Sequence, residues 1–153
     1  MSVIPSIDLG ALRVTAIGSA VLFARFLGVA TCELFVKLEG GQHPPEDHNG
    51  VVPYLTDKKQ SLGVESVEKT KSETVARWNR IILNDLENIP FGVTMMWAGL
   101  ICAGDPKVHQ YAVGAFVASR VIYSFAYALK FSKTRTFAWA SGVVAVGTII
   151  GNA

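Results

Sequence analysis

Residues 74–104 read TVARWNRIILNDLENIPFGVTMMWAGLICAG. The first half carries Arg77, Arg80, Asn84, Asp85 and Glu87, and the second half carries no charge. No period-2 alternation runs through the segment, and its length suits a helix rather than a strand. Arg77, Arg80, Asn84 and Glu87 fall at i, i+3, i+7 and i+10, which places them on one helical face. Asp85 falls off that face and points to a neighbouring helix. We expect a helix capped by Ser72, kinked at Pro90 and stopped at Gly104-Asp105-Pro106. A helix this apolar at one end and this polar along one stripe belongs in a bundle that crosses a membrane.

The rest of the chain agrees. Hydrophobic residues make up 50% of the sequence and charged residues only 17%, against about 25% in ordinary soluble domains. A span needs about 20 mostly apolar residues. Ala11 to Val36 meets that need, interrupted by Arg13, Arg25 and Glu33. The expected fold is an all-α integral membrane four-helix bundle forming one domain over residues 1–153. Its helices cover about 11–37, 73–103, 107–129 and 135–151. A long polar loop, 38–72, holds Gly40-Gly41, Pro44-Pro45 and Asn49-Gly50. Short connections between the last three helices imply antiparallel neighbours. The N-terminus has no basic region ahead of its apolar stretch, so we read that stretch as a retained anchor.

Orientation follows from charge. Lys37, Lys58, Lys59, Lys69 and Lys71 fall between the first two helices, and Lys130, Lys133 and Arg135 between the last two. The positive-inside rule puts these segments in the cytosol and both chain ends across the membrane. A net charge of +2, with no basic run interleaved with aromatics, excludes a nucleic-acid partner. Cys32 and Cys102 lie in apolar stretches without ligand spacing, and we expect no metal. His43, His48 and His109 are scattered and take no role. Trp78, Trp97 and Trp139 read as packing or interfacial residues, and no GxSxG or phosphate-binding glycine loop is present.

A charge at the centre of a spanning helix costs about 2.5–3.5 kcal/mol on insertion scales. Arg25, Asp85, Glu87 and Arg120 are therefore either paired between helices or liganded. Two cations, an amide and a carboxylate on one face suit a zwitterionic ligand with carboxylates and an ammonium. Arg120, Tyr123 and Tyr127 share a face of helix 3. Their alternative reading is an interfacial aromatic belt. Arg135 opens helix 4 at the cytosolic rim, where it is either an anchor or part of the site, and Thr136 beside it can cap or donate.

The helix 2 string VARWNRIILNDLENIPF resembles the signature of the MAPEG superfamily, the membrane-associated proteins of eicosanoid and glutathione metabolism. It is most like the microsomal glutathione transferase type 1 branch. Pro45-Glu46-Asp47, the segment Arg120 to Tyr127 and Arg135 match the family's other motifs in the same order. The resemblance implies a homotrimer with glutathione as co-substrate, bound between subunits near the cytosolic side. Carried over, Arg80, Asn84 and Glu87 hold glutathione from helix 2, and Tyr127 meets it from helix 3, with Tyr123 added to the site by the face it shares with Arg120 and Tyr127. Arg120 supports the site by pairing with Glu87. Arg135 is catalytic, near the sulfur, with Thr136 beside it, and Lys37 is the nearest basic match to an arginine ending helix 1. Asn79 and Ile82 replace an arginine and a histidine of the type 1 branch. Leu83 stands where the prostaglandin E synthase branch has arginine, and Tyr123 and Trp139 where it has histidine and tyrosine. His48 stands where some type 1 enzymes have a loop cysteine, so activation by thiol modification there is not expected.

The expected activity is a glutathione transferase acting on lipophilic electrophiles that arrive from the bilayer, with glutathione peroxidase activity on lipid hydroperoxides as a second activity. The expected location is an integral, multi-pass position in a membrane, which in a eukaryote is the endoplasmic reticulum or the outer mitochondrial membrane, with the 38–72 loop cytosolic. The rivals are a glutathione-dependent prostaglandin E synthase-like isomerase, a four-helix exporter using Glu33, and a non-catalytic scaffold.

Overall fold

The computed structural model describes residues 7–39, 69–102 and 104–153. Four helices account for nearly all of them: α1, Leu9–Glu39; α2, Lys69–Cys102; α3, Pro106–Ala128; and α4, Ser132–Asn152. No strand occurs among the described residues. Most of the expected 38–72 loop, including Pro45-Glu46-Asp47, His43 and His48, lies outside them.

Helix ends follow local chemistry. Asp8 Oδ1 accepts from the Ala11 amide at 2.8 Å and caps α1. Asp105 caps α3, accepting from the amides of Lys107 at 2.8 Å and Val108 at 3.2 Å. Pro106 follows at the first helical position, where its missing N–H costs nothing. Two boundaries differ from expectation. α2 begins at Lys69, so Ser72 lies within its first turn rather than capping it. α4 begins at Ser132, so Arg135 closes the first turn and its amide bonds to Phe131 O at 3.0 Å. α2 runs on unbroken through Pro90.

α3 packs against each of the other helices, most extensively against α4. Leu22 of α1, Met96 of α2, Phe116 of α3 and Ile149 of α4 meet in one core cluster. α1 is long and apolar enough to cross a membrane, and among the described residues it is the one helix that passes on both counts. Several helix hydroxyls are satisfied within their own helix. Ser19, Thr94 and Thr148 each donate to the carbonyl four residues back, at 2.8, 2.8 and 2.9 Å.

The approach of α4 to α3 depends on Gly142. A Cβ there would lie 2.7 Å from Ser119 Oγ and 3.0 Å from Arg120 Nη2. At Gly147, on the same helix, a Cβ would meet nothing within 4 Å. Gly142→Val should therefore destabilise by about 1–3 kcal/mol, the usual cost of overpacking. Gly147→Ala should be neutral or stabilising by about 0.5–1 kcal/mol, because it removes a helix-interior glycine. Thermal unfolding in a mild detergent reads both. Equal effects would show that Gly142 does not control the α3–α4 contact.

Candidate functional site

Two layers of polar residues lie between the helices. The deeper layer is the buried set expected from the charges at span depth. Asp85 is fully buried, and its Oδ1 lies 2.9 Å from Arg25 Nη1 of α1. The contact is an ion pair rather than an aligned hydrogen bond. Arg25 Nη2 donates to Ser124 Oγ of α3, so one guanidinium joins three helices. Asp85 does point to a neighbouring helix, as its position off the α2 stripe implies.

Arg120 is the largest fully buried side chain. Its Nη1 donates to Asn84 Oδ1 at 3.1 Å. Its guanidinium carbon lies 5.0 Å from the centre of the Tyr123 ring and 5.9 Å from that of Phe116, within cation–π range. The expected Arg120–Glu87 pairing is not made. Arg120 reaches Asn84 instead, and Glu87 is exposed on the outer side of α2. Tyr123 is also buried, lying edge-on to Tyr127 with ring centres 5.7 Å apart.

The outer layer is open. Arg135 lies 4.6 Å over the face of Tyr127. With Glu73, Arg77 and Arg80 of α2 and Lys130 and Ser132 of the α3–α4 corner, they wall a cavity of about 370 Å³. That is within the range of roughly 300–1,000 Å³ for small-molecule sites. Among the described residues that line it, four are cations and one is a carboxylate, a balance that attracts anions.

The α2 stripe therefore divides. Arg77 and Arg80 open into the cavity, Asn84 turns inward to Arg120, and Glu87 faces out. Of the residues singled out from sequence, Arg80, Tyr127 and Arg135 come together at the cavity. Arg120, Asn84 and Tyr123 form the layer behind it. Thr136 is exposed and donates to Ser132 O at 3.2 Å, outside the cavity wall. Lys37 pairs with Glu33 at 2.9 Å, one turn back on α1.

Three features had no signal in the sequence. His109, given no role, is buried with Nε2 2.9 Å from Thr15 Oγ1. Ser124 completes the Arg25 anchor. Lys130, read as topological charge, lies on the cavity wall in a left-handed conformation with φ 66°. It occupies the position just past the end of α3. Its amide bonds to Tyr127 O at 3.2 Å, and the Phe131 amide bonds to Ala126 O at 2.8 Å. This pair of bonds is the Schellman motif, whose left-handed position usually holds glycine.

None of the curated proteins compared with the chain matches it. The family model that matches is that of the MAPEG family, over residues 36–153, which takes in the end of α1 and all of α2, α3 and α4. That family includes glutathione transferases, prostaglandin E synthases and other members, some of them non-enzymatic. With four helices and a family match over most of its length, the chain belongs to the membrane-associated MAPEG family.

Proposed function

We propose that the protein is a membrane glutathione transferase of the type 1 kind, working as a homotrimer whose four helices all cross the bilayer. The observation that carries this reading is the cavity in which Arg77, Arg80 and Arg135 surround Tyr127. Glutathione bears two carboxylates, one ammonium and one thiol, and becomes more anionic as the thiol ionises. A free thiol titrates near pH 8.5, so only a few per cent is thiolate at neutral pH. A cation beside the sulfur favours the thiolate. Each unit of lowered pKa raises the thiolate fraction almost tenfold until the pKa approaches ambient pH, and below that falling nucleophilicity offsets the gain. A lipophilic electrophile then reaches the sulfur from the bilayer, and positioning does the rest. No protein nucleophile is needed.

The bilayer reading rests on the bundle's outer surface. Phe23, Ile101, Phe125, Phe137 and Val144 are each more than 60% exposed, on all four helices. Such a surface needs lipid or another subunit to cover it. The trimer reading rests on α2. Its outer face presents Leu83, Glu87 and Phe91, all exposed. A carboxylate at this depth needs a partner, and among the described residues no cation pairs with Glu87. A neighbouring subunit or the glutathione ammonium supplies one.

Glu87→Gln should weaken glutathione binding by about 1.5–3 kcal/mol, the range for hydrogen bonds to charged groups, while the trimer mass in mild detergent is unchanged. Unaltered affinity in an intact trimer would remove Glu87 from the site, and an active monomer would remove the intersubunit reading. Arg135→Leu should raise the apparent pKa of bound glutathione and slow conjugation at neutral pH more than it weakens binding. Ultraviolet difference titration of the thiolate against pH tests this, and a variant curve overlaying the parent's would make Arg135 a headgroup anchor.

A further inference from the structure

We propose that Lys130 is a specificity-determining residue that, with Arg77, recognises the glycyl carboxylate of glutathione. The inference rests on the glutathione reading of the cavity and adds a residue and an orientation to it.

The backbone raises the question. Lys130 holds a left-handed conformation with φ 66°, which disfavours any residue with a Cβ. Glycine suits the Schellman position better, and the chain has 14 glycines. Local stability does not call for a lysine at this corner. Its position supplies another reason. Lys130 lines the same cavity as Arg77, Arg80 and Arg135, where Glu73 is the one carboxylate among the described residues. Backbone strain held at the rim of a charged cavity points to function.

The proposed roles assign the end of the ligand. On the proposed reading Glu87 takes the ammonium of the γ-glutamyl residue and Arg135 takes the sulfur of the central cysteine. Glu87 lies ten residues beyond Arg77 on α2, about 15 Å along the helix axis. On that reading the tripeptide runs along α2 from Glu87 towards the cavity end, where Arg135 stacks on Tyr127 and Arg77 lines the same wall. Lys130, at the α3–α4 corner, is at the Arg77 end, where the glycyl carboxylate arrives. Arg80 lies between and remains free for the peptide.

A rival explanation is that Lys130 neutralises the carbonyl end of α3, where cations are favoured. The two differ in sign. If the lysine serves the helix, replacing it destabilises the protein. If it serves the ligand, replacing it with glycine relieves strain and costs affinity.

The test uses the full-length protein in mild detergent, with glutathione and its glycine amide as probes. Lys130→Gly should leave the unfolding midpoint unchanged or raised. Lys130 is exposed and screened by solvent, so glutathione affinity should fall by only about 3- to 10-fold, and by less at high salt. The glycine amide, lacking that carboxylate, should bind the parent and the variant alike. Lys130→Arg should bind glutathione as the parent does. A lowered midpoint for Lys130→Gly with affinity intact would overturn the proposal in favour of the helix-end role. An equal loss for both probes would overturn the glycyl assignment. If the parent bound neither probe, the glutathione reading itself would fail and the proposal with it. Parent binding that is unaffected in Lys130→Gly would sink the proposal alone.

Discussion

The Arg25–Asp85 ion pair is the constraint on which the other polar contacts depend. Asp85 has no access to solvent, and an unpaired buried charge is destabilising by several kcal/mol. Arg25 answers it from α1 and, with its other nitrogen, holds Ser124 of α3. Three helices are thereby fixed in rotation about a single guanidinium. Such a pair adds little net stability compared with well-packed apolar residues. Its effect is on register, because any other rotation of α2 leaves a buried Asp85 without its Arg25 partner.

Once α2 is set, the neighbouring residues follow in order. Asn84, next to Asp85, is turned to Arg120. Arg120 lies against Tyr123, Tyr123 against Tyr127, and Tyr127 under Arg135. Gly142 lets α4 come close enough to Ser119 and Arg120 to complete this arrangement. A continuous set of contacts therefore runs from an ion pair in the bundle interior to the cation that faces the cavity. The set holds two arginines and one aspartate at depth, and Arg120 Nε and Nη2 have no hydrogen-bond partner among the described residues. That surplus of positive charge behind the cavity adds to the attraction for an anion at its mouth.

Periodicity and composition made much of this legible. The spacing of Arg77, Arg80, Asn84 and Glu87 marked one face of α2, and the position of Asp85 off that face correctly sent it to another helix. The motifs on α2, α3 and α4 resemble those of the MAPEG family in the sequence itself. The divided use of the stripe was not legible, because a shared face spans both the inward and the outward edge of a helix. Asn84 and Glu87 lie on either side of that divide. Ser124 and Thr15 carried no signal, since their partners are 99 and 94 residues away in the chain. Lys130 looked like topological charge because a left-handed backbone position shows in dihedral angles, not in residue type. The start of α4 fell three residues early because Ser132 and Lys133 read as a turn, although nothing in them prevents a helix.

The central claim is that this cavity binds glutathione and ionises its thiol. Both halves are measured together by calorimetric titration of glutathione into the detergent-solubilised protein at neutral pH, repeated in buffers of different ionisation enthalpy. The account predicts saturable binding accompanied by release of a substantial fraction of a proton per occupied site, as a thiol becomes a thiolate. Absence of saturable binding, or binding with no proton released, would contradict it.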